Sequence, residues 1–547
     1  MSQSESGKQN RNFDDVIRYH ERSKHHYGRF ARSLGYMDWR NQPNPFRFYE
    51  GVPVVKLPLL LHDPPANHLD LYRRSGNPPK PFSIDNIGGF MELSLALSAW
   101  KAVAGSQWSL RINPSSGNLH PTECHLVLPG IASLEAGVYH YNPFQHALEF
   151  RAPAPAPASL MEQMVRHFGA EGFLVGLSSI FWRESWKYGE RAFRYCNHDV
   201  GHALACLSFS ASLCGWKIKC LNALSDEELS TVLGFDKVQW PELEEEYPEV
   251  LCFVFGNQTA DIPRGLSEII IDGFAALPFA GAPNTLSENR VRWEVIDEVA
   301  GRTKKPATVE QKYRYGHTRM RADQVLPLTA ARLIRQRRSA VSFSGEGSLE
   351  KSQLLAILDK TLPRDDHAPF DVELIDPSVH LLIFVHAVRG LPAGLYFFFR
   401  DPTDLEEIQA LSRKDLLWQR VETGFDLFLL EPGDFRRTAS RVSCDQEIAG
   451  SSVFSLGMIS RFTPILERAP YRYRHLFWES GMIGQILYLE AEAHGLRGTG
   501  IGCFYDDPVH ELLGLSGNRY QSLYHFTVGD PVEDPRLLTY PPYAHRK

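Results

Sequence analysis

An internal repeat constrains this chain more than any other feature of its sequence. Sliding the 547-residue sequence by 280 positions superimposes six pairs of identical residues without a gap. The pairs are Arg194 and Arg474, Gly201 and Gly481, Gly215 and Gly495, Asp226 and Asp506, Leu233 and Leu513, and Gly234 and Gly514. With other offsets, Gly137-Val-Tyr139 matches Gly394-Leu-Tyr396, and a strand ending at Gly256 matches one ending at Gly529. Two long copies predict a tandem fusion and not a solenoid of short repeats.

Length and composition agree with this organisation. A chain of 547 residues is too long for one ordinary hydrophobic core, and 43% apolar with 22% charged residues are globular values. We predict an N-terminal appendage at residues 1–50, a first half at residues 51–275, a linker at residues 276–325 and a second half at residues 326–547. The Pro- and Gly-containing linker has no long periodicity apart from one short helix near residues 293–299.

Composition also excludes several classes of function. The net charge of -7 provides no basic surface for nucleic acid. Eight cysteines without a Cys-x-x-Cys pair favour a reducing cytoplasm. The N-terminus lacks the apolar segment of a signal peptide, and no run of about 18 apolar residues follows, so we expect a soluble protein without a membrane partner.

Hydrophobic periodicity predicts the main elements of the first half and the appendage. Helices are predicted at residues 18–22, 27–36, 86–101 and 199–213, the last ending at Gly215. Strands are predicted at residues 125–128, 138–141, 174–181 and 250–255. Alternating prolines at residues 152–158 predict an extended connector, because proline lacks an amide donor.

A rigid polar loop lies at residues 111–123, which read RINPSSGNLHPTE. Prolines fix the backbone near both ends, and Gly117 allows a conformation closed to other residues. Ser115, Ser116 and Asn118 then present hydroxyl and amide groups at fixed positions, as a planar ligand with polar edges requires. On composition alone, an ordinary surface turn is the alternative.

This loop resembles the Pro-Ser-x-x-Asn-x-x-Pro loop of the nitroreductase-like flavoproteins, in the form found in thiazoline/oxazoline dehydrogenases that mature azole-containing peptides. The resemblance continues through Gly137-Val-Tyr-His-Tyr-Asn-Pro143, Leu148-Glu149, Arg183, Trp186-Lys-Tyr-Gly-Glu-Arg191 and Arg194-Tyr195. It implies an α+β fold in which each half is a central antiparallel sheet with flanking helices. Family members are usually homodimers with FMN at the subunit interface, so a tandem chain is expected to form an intrachain pseudo-dimer.

The second half contains two further segments that resemble the family. Arg337-Arg338-Ser339 is similar to its Arg-Arg-Ser signature, and a planar guanidinium suits both phosphate and flavin oxygens. The family often has another basic residue where this chain has Val341, and a basic helix end facing water is the alternative. The glycine run from Gly498 to Phe504 lets a backbone approach a flat ring, and the resemblance implies that an amide near Gly502 or Cys503 reaches flavin N5.

The two halves have kept complementary pieces of such a site. The first half has the Pro-Ser-Ser-Gly-Asn loop, whereas the second half has lost its Asn and second Pro near Ser378. At the place of the glycine run, the first half reads Cys220-Leu-Asn-Ala-Leu224, and its Arg73-Arg74-Ser75 is only a weak match. One composite FMN site per chain is therefore expected, and its symmetry mate is expected to be empty.

Lys187-Tyr188 resembles the Lys-Tyr pair on which azoline dehydrogenases depend. A phenol of pKa near 10 needs an adjacent cation to act as a base at neutral pH, and Lys187 is expected to supply it. The positions 280 residues further on are Glu467 and Arg468, so chemistry is expected in the first half only. The alternative is an amphipathic surface pair.

Two other features favour structural roles. His198 and His202 stand four apart on a predicted helix, a spacing that could hold zinc, but no Glu follows the first His and no third ligand is signalled. No metal site is therefore predicted. Asp199 and Glu479 occupy equivalent positions and are expected to cap or pair at the interface between the halves.

The sequence thus favours an FMN-dependent dehydrogenase acting on an azoline-type heterocycle in a modified peptide or small natural product. Other biosynthetic enzymes are possible partners. The first alternative is an NAD(P)H-dependent nitro or quinone reductase, which uses the same flavin in the opposite direction. The second is a flavin-free pseudoenzyme that binds a peptide.

Overall fold

The computed structural model describes residues 3–73, 78–132, 134–154, 160–256, 261–316, 320–321, 326–374 and 376–546. Residues 155–158 of the predicted extended connector and Arg74-Ser75 of the weak signature lie outside these ranges. In chain order, the helices are α1 Gln3–Arg22, α2 Ile84–Glu92, α3 Leu160–Phe168, α4 Phe181–Tyr188, α5 Ala192–Leu213, α6 Asp226–Leu233, α7 Glu268–Ala275, α8 Glu294–Arg302, α9 Ala330–Gln336, α10 Lys351–Lys360, α11 Leu405–Leu411, α12 Arg436–Val442, α13 Glu447–Gly450, α14 Thr463–Leu466, α15 Arg472–Ala493 and α16 Asp506–Glu511.

The strands alternate with these helices along the chain. They are β1 Tyr49–Glu50, β2 Val54–Lys56, β3 Leu97–Val103, β4 Ser106–Arg111, β5 Thr122–Leu128, β6 Gly137–Asn142, β7 Ala147–Pro153, β8 Gly172–Ser179, β9 Lys217–Cys220, β10 Tyr247–Phe255, β11 Ala282–Pro283, β12 Leu349–Glu350, β13 Val379–Val385, β14 Val388–Arg389, β15 Gly394–Phe398, β16 Gln419–Glu422, β17 Phe425–Pro432, β18 Phe454–Arg461, β19 Arg497–Ile501, β20 Tyr520–Gly529 and β21 Leu538–Tyr540.

Two seven-stranded sheets have the same topology. The first is ordered β2-β7-β6-β5-β8-β10-β9 and the second β16-β17-β15-β13-β18-β20-β19. All pairings within the two sheets are antiparallel. Six consecutive strands correspond one to one, including β6 with β15 and β10 with β20. The predicted α+β tandem fold with central antiparallel sheets is therefore confirmed, and only the edge strands β2 and β16 arise differently.

Helices α5 and α15 form the axis of the pseudo-dimer. Each has 22 residues, and the second begins 280 positions after the first. They pack against each other so closely that a Cβ on Gly201 would lie 2.1 Å from the Trp478 carbonyl oxygen, and one on Gly481 2.2 Å from that of His198. Glycine at both positions permits this contact, since any side chain would collide with backbone.

The hydrophobic core is continuous across the two halves. Its largest cluster combines α5, α15 and the facing sides of both sheets. Two smaller clusters lie on the outer sides of the sheets, one in each half. Because both faces of the sheets are covered, central strands such as β5 and β13 are buried along their whole length. In the described part of the chain, no helix is both long and apolar enough to cross a membrane.

Two predicted helices are wrong in whole or in part. The helix predicted at residues 86–101 ends at Glu92, and residues 97–103 form β3, which pairs with β4 and β21. Residues 27–36 are not helical: a bridge between His26 and Arg29 and left-handed Gly28 and Gly35 shape an irregular segment. In both places tertiary contacts override local pattern. The strand predicted at residues 174–181 ends at Ser179, before α4 begins.

Both ends of the described chain cross to the opposite half. In α1, the His20 ring lies 3.1 Å from the Gln521 side chain and 3.2 Å from the Tyr473 hydroxyl, both in the second half. Strand β21 pairs with β3 of the first half. Each of these crossings adds contacts between the two halves.

Candidate active site

A cavity of about 800 Å³ lies between the two halves and is lined by residues of both. The first half contributes the polar loop and the facing side of α4 and α5, and the second half contributes the segment after α9 and strand β19. Nine of the ten predicted site residues line it: Ser115, Ser116, Asn118, Tyr188, Arg337, Arg338, Ser339, Gly502 and Cys503. Lys187 lies beside it, with its Nζ 3.1 Å from the position of a Cβ on Gly117.

The polar loop is held by its own side chains. Asn118 donates from Nδ2 to the Ser109 carbonyl (2.9 Å), and its Oδ1 lies 2.9 Å from Nε2 of His120. The Ser115 hydroxyl accepts from the His120 amide at 2.8 Å. Gly117, Asn118 and His120 all have φ between 53° and 60°, a conformation that Gly and Asn tolerate best. These contacts fix the loop without a ligand.

Asp199 connects the loop to α5. One of its carboxylate oxygens accepts from the Ser116 amide (3.1 Å) and hydroxyl (3.3 Å), while the other, Oδ2, has no partner among the described residues. Burial raises the pKa of Asp199 to about 7, although the neighbouring Ser115 and Ser116 oppose the shift. A carboxyl with a pKa near neutrality can both accept and release a proton under ordinary conditions.

The Arg337-Arg338-Ser339 segment lies along the glycine run of β19. Ser339 forms a parallel bridge with Gly498, and the Ala340 amide donates to the Gly498 carbonyl at 3.1 Å. The Tyr488 hydroxyl secures both segments, because it lies 2.9 Å from the Ser339 hydroxyl and accepts from the Gly500 amide at 2.9 Å. The two predicted segments of the second half therefore form one wall.

Arg337 does not face water, which excludes the alternative of an exposed basic helix end for this residue. It is 4% exposed and donates from Nη2 to the Arg111 carbonyl of the polar loop segment at 3.3 Å. Its buried Nε has no hydrogen-bond partner among the described residues. Burial, followed by the neighbouring Arg337 charge, lowers the pKa of Arg338 to about 10. Both guanidinium groups are thus placed where an anion would stabilise them.

Two cations that sequence reasoning missed complete this end of the cavity. Lys101 from β3 and Arg497 from β19 line it together with Arg338. Burial and the charges of Arg338 and Arg497 lower the pKa of Lys101. The three cations therefore lie close together. Lys101 and Arg497 add positive charge at this end of the cavity. The basic residue that the family often has at another position is replaced in this chain by Val341, which is 88% exposed. In the sequence, the position of Arg497 directly before the glycine run could have indicated that it lies at the cavity.

The glycine run fits closely against aromatic side chains. A Cβ on Gly500 would lie 1.9 Å from the Tyr524 hydroxyl, and one on Gly502 2.4 Å from Cε1 of Tyr195. Arg191 donates from Nε (3.2 Å) and Nη2 (3.1 Å) to the Gly502 carbonyl. Because a trans peptide is planar, the Cys503 amide on the same peptide unit points away from Arg191. Cys503 lines the cavity, and its amide donates no hydrogen bond to the described residues.

Tyr188 and Lys187 stand at the end of α4, next to the polar loop. The Tyr188 hydroxyl lies 2.7 Å from the position of a Cβ on Gly117, and Lys187 Nζ is 5.2 Å from the centre of the Tyr188 ring. Lys187 was expected to lower the pKa of Tyr188. Burial and the nearby Glu184 instead raise the pKa of Tyr188 well above 10. The charge of Lys187 instead acts on Glu184. Burial raises the pKa of Glu184, and the positive charge of Lys187 opposes this increase.

The pseudo-symmetric position is filled by protein. The α15 counterparts of cavity residues Tyr195, Asp199 and His202 are His475, Glu479 and Met482. They line two small cavities of about 30 and 10 Å³. Side chains of the linker help to fill the space, Lys305 in the first and Tyr315 in the second.

Asp199 and Glu479 play the same structural part in the two halves. Glu479 accepts from the Ser378 amide at 3.1 Å, as Asp199 does from Ser116, and it also forms an ion pair with Arg400. Each carboxylate pairs within its own half and not across the interface. Arg400 thus pairs with Glu479, whereas Asp199 has no such arginine partner in the described part of the chain and is among the residues that line the large cavity.

His198 and His202 bind across the interface. The Nε2 of His198 lies 3.1 Å from the Leu523 carbonyl, and His202 lies 3.2 Å from both the Gln485 side chain and the Tyr524 hydroxyl. Within the described ranges, no group of three or more His, Cys, Asp or Glu side chains could hold a metal ion. The pair therefore joins the halves, and burial lowers the pKa of both imidazoles.

Comparison with known proteins identifies the family to which this architecture is similar. Residues 334–530 match the family model described as "Nitroreductase family". A Methanocaldococcus jannaschii protein described as a nitroreductase is 26% identical over 125 residues, covering 22% of this chain and 62% of that protein. The trifolitoxin-processing protein TfxB of Rhizobium leguminosarum bv. trifolii is 30% identical over 133 residues, covering 22% of this chain and 35% of TfxB. The matches thus span less than two thirds of either relative.

One solved structure resembles the whole chain. A protein from Anabaena variabilis described as a nitroreductase superimposes with a TM-score of 0.67 and 22% sequence identity. The similarity covers 95% of this chain and 99% of that one. At this identity the comparison supports the shared fold, which extends over both halves.

Proposed function

We propose, from the premise that residues 334–530 are a domain of the nitroreductase family, that this chain is an FMN-dependent oxidoreductase with one composite active site. The carrying observation is the cavity of about 800 Å³, to which the polar loop of one half and the Arg-Arg-Ser and glycine segments of the other both contribute. The division at residues 51–275 and 326–547 remains part of the proposal. Each half would then supply what one subunit of a dimer supplies in the family.

The residues of the cavity fit FMN. An unpartnered buried Nε on Arg337, together with Arg338, Lys101 and Arg497, would hold the phosphate and carbonyl oxygens. The Cys503 amide and the polar edge of the loop at Asn118 would hold the ring. When bound, FMN supplies a two-electron acceptor for hydride. A cavity of about 800 Å³ also leaves room for a substrate, since ligand sites usually measure about 300–1,000 Å³.

Proton transfer is assigned to Tyr188, with Lys187 and Asp199 in supporting roles. In a dehydrogenation, Tyr188 would receive the substrate proton after releasing its own. Burial makes the neutral phenol the resting form, and the charge of Asp199 adds to this effect. Asp199, with a pKa of about 7, is the group in this wall best matched to hold the released proton at neutral pH. Lys187 would offset the negative charge that develops beside Glu184.

The raised pKa of Tyr188 also favours a second candidate. A neutral phenol is poised to donate a proton, which is what a reductase of nitro or quinone compounds requires. Such an enzyme would take hydride from NAD(P)H and return it to the substrate. The two candidates share the site and differ in direction.

For the dehydrogenase, the proposed substrate is an azoline ring in a modified peptide or related natural product. The Lys187-Tyr188 pair supports this class through its resemblance to the azoline dehydrogenases, and the relative named as a trifolitoxin-processing protein supports a role in natural-product maturation. Peptide substrates and other biosynthetic enzymes are the proposed partners.

An absorption spectrum of the purified protein, followed by anaerobic mixing, tests the proposal. A yellow protein with bound flavin is expected. Bleaching by a thiazoline-containing peptide, with formation of the thiazole, supports the dehydrogenase, whereas bleaching by NADPH alone favours the reductase. A colourless protein that neither binds added FMN nor turns over would contradict both and favour the flavin-free peptide-binding alternative.

A further inference from the structure

Two cysteines differ from the other six in their surroundings. All eight lie in the described part of the chain, and six of them are buried. Only Cys444 and Cys503 are partly exposed, and their thiols are hydrogen-bonded to each other. Cys503 also lines the large cavity, so a small molecule entering the cavity can reach this cysteine.

The backbone around both cysteines is tied together. Gln446 donates from Nε2 to the Cys503 carbonyl (2.9 Å) and to the Ser443 carbonyl (2.8 Å). The Tyr505 amide donates to the Val442 carbonyl at 2.9 Å, and its hydroxyl to Asp445 at 3.0 Å. Three of these four bonds join residues 442–446 to residues 503–505. The two segments that carry the cysteines are therefore held against each other.

The surroundings of Cys503 favour its thiolate. The hydrogen bond from Cys444 lowers the pKa of Cys503 to about 5, with further contributions from His25 and Arg191 that outweigh burial. The same contact and burial raise the pKa of Cys444. An accessible thiolate next to a neutral thiol is the arrangement of an attacking and a resolving cysteine.

We propose that Cys503 and Cys444 form an oxidisable pair that reacts with low-molecular-weight disulfides entering the cavity. The Cys503 sulfur attacks one sulfur of the small disulfide, forming a mixed disulfide and releasing one small thiolate. Cys444 then loses its proton and attacks the Cys503 sulfur, forming the Cys444–Cys503 disulfide and releasing the second small thiolate. Two protein thiols are oxidised and one small disulfide is reduced to two thiols, so electrons and protons balance.

Oxidation of the pair changes the charge of the cavity wall. The Cys503 charge is one of the groups that raise the pKa of Tyr188 and of Tyr195. A disulfide is neutral and removes this negative charge from beside both phenols. The oxidised state therefore makes the Tyr188 phenol easier to ionise, which links the thiol pair to the proton-transfer residue of the proposed function.

The test treats the purified full-length protein with glutathione disulfide, counts thiols after denaturation and maps disulfide-linked peptides by mass spectrometry. Wild type is expected to lose two of its eight thiols, to yield a Cys444–Cys503 peptide and to regain both thiols with dithiothreitol. Cys444→Ser should stop at one glutathione adduct on Cys503, and Cys503→Ser should resist reaction. Cys206→Ser, at a buried position, is the control and should behave as wild type.

Three results would overturn the proposal. They are a stable glutathione adduct on Cys503 in wild type without an internal disulfide, reaction at other cysteines, and unchanged thiol number in wild type. Because thiol counting and peptide mapping need no flavin and no turnover, these results are independent of the proposed enzymatic activity. Circular dichroism of each variant before treatment establishes that it is folded.

Discussion

Arg194 donates to Asp506 at 2.5 Å, and 280 residues further along the chain its counterpart Arg474 donates to Asp226 at 2.8 Å. Each arginine lies in the opposite half from its aspartate, and all four side chains are buried. The two ion pairs are thus related by the pseudo-symmetry of the fused dimer. Breaking a buried pair usually costs about 3–5 kcal/mol, because the remaining charge is left uncompensated. The interface therefore depends on matched polar contacts as well as on apolar packing.

Gly201→Ala should destabilise the protein, because the new methyl group would collide with the Trp478 carbonyl across the helix pair. A loss of about 1–3 kcal/mol or more is expected from such overpacking. The midpoint of urea unfolding, with the slope checked for change, measures it. Gly301→Ala is a matched control on α8, where a Cβ meets nothing within 4 Å, and should be neutral or slightly stabilising. Equal effects of the two changes would argue against the close helix contact.

The chain should bind one FMN. Among the described residues, those at the pseudo-symmetric position line cavities of about 10 and 30 Å³, with Tyr315 and Lys305 in their walls, and both cavities are too small for a flavin. Flavin released by heat or acid, quantified against protein concentration, gives the ratio directly. A value close to two would contradict the assignment of the second position as filled.

Arg337→Ala and Asn118→Ala should each weaken FMN retention, although the two residues lie in different halves. Each change would leave a polar group of the flavin, or of the loop that holds it, without its hydrogen-bond partner. Such a loss costs about 1–3 kcal/mol. Equilibrium dialysis of the variants against FMN measures the change. Arg332→Ala removes an exposed arginine from the first turn of α9, the helix that Arg337 follows, and should have no effect. Normal FMN affinity in both site variants would exclude a shared site.

Tyr188→Phe and Lys187→Ala should keep FMN bound but lose most turnover. These side chains are assigned to proton transfer, which contributes about 10²- to 10⁴-fold to catalysis. Single-turnover bleaching of the flavin by substrate measures the chemical step. Glu467→Ala and Arg468→Ala, 280 positions away, are the matched controls and should change it little. If the control variants were equally impaired, the chemistry would not belong to the first half.

A buried histidine should give part of the stability a defined pH dependence. Burial lowers the pKa of His140, but hydrogen bonds to Glu123 and Glu149 and their charges outweigh it and raise the pKa to about 9. The pKa is raised above its unfolded value of about 6.5, so this stabilisation is complete below about pH 6.5 and is lost as the pH rises through 9. The difference in unfolding free energy between wild type and His140→Gln should therefore shrink from pH 6.5 to 9.5. A difference independent of pH would show that His140 is neutral in the folded protein.

The repeat was sufficient to predict the tandem organisation, and the resemblance to the nitroreductase-like flavoproteins implied the α+β fold of each half. Strands such as β5, β6 and β10 are short apolar runs that stay buried in the sheets, and α5 ends at Leu213, two residues before the predicted terminating Gly215. Residues 97–101 were assigned to a helix because their apolar positions suit either element, whereas the structure has strand β3 there. Their pairing with β21, from the far end of the described chain, decides the structure, and a local pattern contains no information about such a partner.

Those parts of the candidate site in which a sequence motif fixes the backbone shape were predictable. Those parts in which a residue depends on neighbours from distant segments of the chain were not. The polar loop and the glycine run have distinctive sequences and line the same cavity. Lys101 and Arg497 were missed because a single basic residue does not indicate what it will face. The expected effect of Lys187 on Tyr188 was wrong for a similar reason: the pKa of Tyr188 depends on burial and on Glu184, Asp199 and Cys503, which the fold assembles from separate segments.

The filled position around Glu479 and Arg400 has a consequence for how such a protein can change over generations. In a dimer of identical chains, one gene specifies both sites, so any substitution that closes one closes the other and activity disappears. A fused chain specifies the two sites separately. Side chains such as Tyr315 could therefore accumulate at one position and strengthen the interface while selection maintained the other, and an enzyme with one working site is the expected result of that freedom.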